Sequence, residues 1–203
     1  MDKIMLIAAG LIAYLIGSIS TSIIVSKIMG GIDIRKYGSG NAGATNTLRT
    51  LGKKAALFVL LGDLFKGIIA VLIAGIIAKA FEYDVLLFQC VAGFMVVMGH
   101  NYPVYFGFKG GKGVLTSFSV VLILDWKIAL LLLLCEAVVI AIWKMVSLGS
   151  CIAAIAFMVL SLVLRGSDTY FVVLSFVLSI ILIYRHRSNI GRIIKGEESK
   201  LKF

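Results

Sequence analysis

The sequence predicts an all-α polytopic membrane protein with seven transmembrane helices, its N-terminus outside and its C-terminus cytoplasmic. Three observations carry that prediction. Of 203 residues, 61% are apolar and 15% charged, whereas soluble domains average roughly 45–50% and about 25%. The apolar residues fall into seven runs joined by short polar segments. The cations divide unequally between alternate segments.

A spanning helix needs about 20 residues, with a range near 17–25. The first run, Ile4–Ile28, follows only Met1-Asp2-Lys3, lacks a convincing small-residue cleavage site and reads as a retained span. The second, Ala55–Ala80, carries Asp63 and Lys66 at i and i+3, a pair that neutralises itself inside the span. Val85–Gly99 is the third. Val114–Leu124 is the weakest, because eleven residues at about 1.5 Å each cover only half of the hydrocarbon core, as a re-entrant segment would. Ile128–Trp143, Leu148–Leu164 and Thr169–Tyr184 complete the set.

Charge favours crossing by the fourth run. With seven spans, fifteen Lys and Arg lie on one side, from Lys27 through the tail to Lys202, and four on the other: Lys3, Lys79, Lys127 and Arg165. Without that crossing, Lys144 and the six tail cations change sides and the positive-inside bias largely vanishes. The chain then reads as one integral-membrane domain, residues 1–203.

This composition excludes a soluble enzyme, and no exposed face is long enough for nucleic acid. Cys90, Cys135 and Cys151 sit in apolar runs without metal-ligand spacing. No internal repeat supports an inverted-repeat transporter.

Three polar sets carry the chemistry. Ile32 to Lys54 crowds glycines with Ser39, Asn41, Thr45, Asn46 and Arg49. Glycines let backbone N–H groups approach an anion, the side chains add donors, and Arg49 supplies a planar fork; the helix expected near Ala55 adds a positive dipole end. The alternative is a solvated positive-inside loop. Gly38 to Gly43 matches GxGxxG, but the dinucleotide motif needs a preceding strand and a βαβ unit.

His100 to Gly113 places Lys109 and Lys112 around Gly110-Gly111 just before the fourth run, a phosphate cradle in miniature. It is not a Walker A loop, since Phe106 stands six before Lys112 and Gly113 follows it. Snorkelling lysines and a capping His100 are the plainer reading. The third set joins Ser147 and Ser150 to Arg185-His186-Arg187-Ser188-Asn189-Ile190-Gly191-Arg192. A continued helix puts His186 and Asn189 on one face; helix capping and a basic tail on anionic lipid are the alternatives. All three sets lie on the cytoplasmic side, and with few carboxylates among them they suit anionic substrates, not a metal.

Gly38–Arg49, Gly99–Gly113 and Arg185–Glu198, in that order, strongly resemble the bacterial membrane glycerol-3-phosphate acyltransferases that use acyl phosphate. The resemblance runs along essentially the whole chain. It implies acyl transfer from acyl phosphate to the 1-hydroxyl of sn-glycerol 3-phosphate, giving lysophosphatidic acid and phosphate, the first step of phospholipid synthesis. It also implies residence in the bacterial inner membrane and a functional handover from the enzyme that makes acyl phosphate. The implied partners are these two substrates and membrane phospholipid, with no nucleic acid, cofactor or metal. Matched residue by residue, it gives Ser39, His186 and Asn189 catalytic roles. Asn41, Thr45, Arg49, His100, Lys109, Gly110, Gly111, Lys112 and Ser147 become binding residues. Ala42 stands where proline is expected in many members, a change in stiffness more than in chemistry.

An acyl phosphate has a good leaving group, so hydroxyl attack needs charge neutralisation and alignment more than a protein nucleophile. The His-x4-Asp pattern of thioester-dependent acyltransferases is absent: Tyr105 and Gly191 stand five after His100 and His186. The competing readings are a transporter or flippase of a phosphorylated or lipid anion, and a structural membrane subunit. Few polar residues in the outer halves of the spans argue against an aqueous path.

Overall fold

The computed structural model describes residues 2–201; Met1 and the tail cation Lys202 lie outside them. Among the described residues every regular element is helical. The chain divides into two compact units, Met1–Ile123 and Leu124–Phe203.

In the first unit α1 (Asp2–Gly17) and α2 (Thr21–Gly30) are separated by a short break, and α3 (Ala44–Leu51) lies within the first polar segment. Then come α4 (Lys53–Ala80), α5 (Val85–Asn101) and α6 (Val114–Leu124). The Asp84 carboxylate caps α5 by accepting the Leu87 N–H at 3.0 Å. α1 packs on α5 where two glycines remove the side-chain barrier. A Cβ at Gly17 would strike the Val96 backbone, and one at Gly99 the Tyr14 carbonyl. Ile19 lies in the break between α1 and α2, and its N–H donates to the Ile16 carbonyl at 3.2 Å.

The second unit consists of α7 (Trp126–Trp143), α8 (Val146–Arg165), α9 (Thr169–Arg185) and α10 (Arg187–Ile194). Asp125 caps α7, accepting the N–H groups of Lys127 and Ile128 at 3.1 Å. Arg165 donates to Asp125 at 3.0 Å and to Asp168. Inside the unit Glu136 accepts the Ser150 hydroxyl at 2.7 Å.

Among the described residues five stretches are long and apolar enough to cross a membrane: Lys3–Gly30, Lys53–Ala80, Val85–Phe106, Trp126–Trp143 and Val146–Arg165. α9 and α10 make a sixth only as a pair bent by 58°. α6 is apolar but has 11 residues, about 16 Å of helix. Large apolar side chains such as Ile7, Leu134 and Val163 are exposed on the outer faces, as a lipid solvent permits.

Candidate active site

The first polar segment is more ordered than a loop. Residues Ile34–Lys36 form a 3₁₀ turn capped by Asp33, and the chain re-enters a helix at Ala44, eleven residues before the start expected near Ala55. The helix expected near Ala55 is present as α4 from Lys53, and α3 adds a second positive helix end inside the glycine segment. Gly43 caps α3 without a side-chain bond, leaving the first-turn N–H groups of an eight-residue helix beside Thr45.

Asn46 organises this segment. Its two amide N–H bonds are shared among the carbonyls of Ile34, Tyr37 and Asn41 at 3.3, 3.0 and 3.0 Å, and its Oδ1 accepts the Ser39 N–H at 2.9 Å. The sequence suggested a ligand donor here; the structure uses Asn46 to hold Ser39 and Asn41 in place. Ser39 and Arg49 are exposed, while Asn41 and Thr45 are half-buried.

Arg35 stitches the first segment to the second. Its guanidinium meets Asp33 at 2.7 Å and donates to the Phe106 carbonyl at 2.7 Å. The Arg35 side chain beside Asp33 holds that carboxyl down at about 2. Asp33 and Arg35 are thus an ion pair, and Arg35 has a second duty at the Phe106 carbonyl.

The second segment folds back on the end of α5. Gly110 and Gly111 donate their N–H groups to the carbonyls of Asn101 and His100 at 3.2 and 3.1 Å. A Cβ on Gly111 would collide with His100 Nε2 and the Ala42 carbonyl, so the glycine pair lies where the two segments meet. Lys109 is exposed and Lys112 half-buried on either side of it. Tyr14 anchors the segment to α1, its hydroxyl donating to the Tyr102 carbonyl at 2.8 Å.

Beneath, His100 joins the pair read from α4. Lys66 Nζ lies 2.8 Å from Asp63 Oδ1 and 2.8 Å from His100 Nδ1. The i, i+3 pairing is as expected; its extension to His100 is not visible in the sequence.

In the second unit the third set is split by the bend. His186 lies between α9 and α10, so the helix does not continue unbroken as its spacing suggested. The His186 Nδ1–H donates to the Leu182 carbonyl at 2.9 Å, which makes Nε2 the basic nitrogen of the neutral ring. Asn189 and Arg192, one turn apart on α10, both reach Glu198, at 2.6 and 2.7 Å. Ser147 donates to the same carboxylate at 2.8 Å. Glu198 ends the third sequence motif, and its role as the common acceptor of these donors has no signal in the sequence. Burial raises its pKa, but the bonds from Asn189, Ser147 and Arg192 outweigh burial and lower it.

A family profile described as glycerol-3-phosphate acyltransferase matches residues 7–196. A protein of that name from Clostridioides difficile (strain 630) is 44% identical over 195 residues, covering 96% of this chain and 95% of the relative. One from Staphylococcus aureus (strain JH9) is 42% identical over 202 residues, covering 98% and 99%. The fold is similar to a crystal structure of PlsY (YgiH), described as an integral membrane glycerol 3-phosphate acyltransferase, in its glycerol 3-phosphate form. The TM-score is 0.88 at 37% identity, with 97% of this chain and 96% of that chain covered. The lysophosphatidic acid form of the same protein gives 0.85 at 38%, covering 97% and 95%.

Proposed function

The chain belongs to the glycerol-3-phosphate acyltransferase family, and from that premise we propose that it takes acyl phosphate as donor and acylates the 1-hydroxyl of sn-glycerol 3-phosphate. The products are lysophosphatidic acid and inorganic phosphate. The observation that carries this reading is the meeting of the two glycine segments. Gly111 packs against His100 and the Ala42 carbonyl, and Arg35 bonds to the Phe106 carbonyl at 2.7 Å. On this reading backbone donors, the α3 N-terminus and three cations, Arg49, Lys109 and Lys112, serve one anion-binding region.

The hydroxyl oxygen attacks the acyl carbon, the carbonyl carbon–phosphate oxygen bond breaks, and phosphate leaves with the electron pair. Lys109, Lys112 and the loop N–H groups neutralise the leaving phosphate and the phosphate of glycerol 3-phosphate, with Arg49 as the planar clamp and Ser39, Asn41 and Thr45 as polar contacts. From the third polar set of the sequence we assign His186 to take the hydroxyl proton through Nε2, with the donor's own phosphate as the alternative, and Asn189 and Ser147 to orient polar groups of the substrate.

Seven crossings with the polar segments on the cytoplasmic face of the bacterial inner membrane remain our topology, on the fifteen-to-four division of cations. Single cysteines at Gly40, Gly110 and Ser199 should resist an impermeant external thiol reagent, and one at Asp168 should react. External labelling at Ser199 with protection at Asp168 would make α6 re-entrant, and external labelling at Gly110 would overturn the register of the spans before it.

The deciding experiment incubates purified protein with labelled glycerol 3-phosphate and either acyl phosphate or an acyl thioester. Labelled lysophosphatidic acid is expected with acyl phosphate alone. Product from the thioester alone overturns the donor assignment, and folded protein without product from either overturns the reading.

A further inference from the structure

His100 has its catalytically important side decided on its other side. Asp63, Lys66 and His100 are all buried, and they come from two different helices. Lys66 Nζ has three neighbours at bonding distance: Asp63 Oδ1 at 2.8 Å, His100 Nδ1 at 2.8 Å and the Ile19 carbonyl at 3.2 Å. Two of these are oxygens that can only accept. A neutral amine has two N–H bonds and an ammonium three. Beside the Asp63 carboxylate at 2.8 Å the amine is an ammonium, which has three N–H bonds and no lone pair to accept a ring N–H, so Nδ1 of His100 is the third acceptor.

The alternative gives the Nδ1 proton to His100 and aims it at Asp63. That contact is 3.5 Å, well beyond the length of a charge-assisted bond, and it would press a ring N–H against the ammonium 2.8 Å away. Asp63 is also engaged by the Thr21 hydroxyl at 2.8 Å. The shorter Lys66 contact decides the tautomer.

The break between α1 and α2 is part of this device, because it turns the Ile19 carbonyl toward Lys66. Asp63 supplies the charge without which a buried ammonium would be strongly disfavoured. With Nδ1 accepting, the ring proton resides on Nε2, the atom that faces Gly111 at the meeting of the glycine segments.

We propose that Lys66, held by Asp63 and the Ile19 carbonyl, is a positioning residue that fixes His100 as the neutral Nε2–H tautomer, making it a hydrogen-bond donor at the junction of the glycine segments and excluding it as the general base. The catalytic consequence rests on the acyl-transfer reading; the tautomer does not. The role of an ion pair that would otherwise only neutralise itself is to prevent a histidine beside a phosphate site from turning its lone pair toward the substrates.

The chain has two histidines, so the test is direct. Full-length protein carrying ¹⁵N-histidine, in phospholipid nanodiscs, is recorded by long-range ¹H–¹⁵N spectroscopy at pH 7, and a His186→Gln sample assigns the signals. His100 is expected as the Nε2–H tautomer; an Nδ1–H tautomer or an imidazolium overturns the proposal without any variant of the triad. Lys66→Met with Asp63→Leu removes both charges together. His100 should then populate both tautomers, and kcat should fall by about tenfold, a barrier change of about 1.4 kcal/mol, with a smaller change in KM. A folded double variant whose His100 shifts and kcat are unchanged also overturns it, and a double variant that does not fold leaves the wild-type spectrum to decide. Wild-type protein lacking acyl transfer, yet showing Nε2–H, would sink the functional reading and leave the tautomer assignment standing.

Discussion

The Ser147 hydroxyl donates to the Glu198 carboxylate at 2.8 Å across 51 positions of sequence, closing the C-terminal segment onto the start of α8. The Leu201 N–H adds a bond to the Lys144 carbonyl at 2.8 Å. With Asn189 and Arg192 on the same carboxylate, Glu198 gathers three donors that would otherwise lose an acceptor together.

Glu198→Ala should therefore lower the thermal midpoint markedly at pH 7, since each buried donor left unpaired costs about 1–3 kcal/mol. Glu198→Gln should lose less. The sign with pH follows from the lowered folded pKa. The contribution is fully present above the unfolded value of about 4.3 and disappears as pH falls through the lower folded value. Thermal scans of wild type should lose stability faster than Glu198→Gln as pH drops from about 5 toward about 3. Parallel pH profiles would remove the carboxylate from this role.

Gly111→Ala should cost at least about tenfold in kcat/KM, because its Cβ would meet the His100 ring and a backbone carbonyl. Gly191→Ala is the matched control. It has open space around it and lies in α10, where alanine favours helix by up to about 1 kcal/mol. Steady-state assays should show loss in the first and none in the second; near-wild-type activity of Gly111→Ala would mean that the two segments need not touch.

Arg49→Ala should reduce kcat/KM by roughly tenfold to a hundredfold, on charge-assisted bonds of about 1.5–3 kcal/mol each. Arg49→Lys should recover little if both guanidinium N–H groups engage one phosphate. Lys27→Ala, at the end of α2, should be nearly silent. Full activity in either Arg49 variant removes that residue from the site.

The order of the helices and their approximate limits were legible because lipid-facing helices need apolar residues all round, which leaves a strong linear signal. What did not show was how polar segments fold. α3 contains Asn46, Thr47 and Arg49 and looks like loop; Asn46 reads as a ligand donor until four bonds consume it. The i, i+3 spacing of Asp63 and Lys66 gave their pairing, whereas His100, 34 residues past Lys66, could join only through packing of α4 on α5. His186 and Asn189 have helical spacing, yet spacing cannot register the 58° bend at His186 between α9 and α10.

Acyl transfer should survive EDTA and replacement of Cys90, Cys135 and Cys151 by alanine. Among the described residues no group of three or more His, Cys, Asp or Glu could hold a metal ion, and Cys90 and Cys151 are buried in helices. An anhydride donor gives little reason to store the acyl group on protein first. Double-reciprocal plots should intersect. Acyl label trapped on protein by donor alone, or parallel lines, would redirect the search for a nucleophile to Ser39 and Ser147.

The α1–α5 contact bears on how such a sequence can drift. At Gly17 and Gly99 the obstacle to a larger residue is main chain: the Val96 backbone in one case and the Tyr14 carbonyl in the other. A misfit against a side chain can be relieved by trimming that side chain elsewhere in the gene. A misfit against a carbonyl has no such partner, because every amino acid carries the same one. Second-site suppressors of Gly17→Ala would have to move a whole helix, so genetic selection should return mainly revertants at position 17 itself.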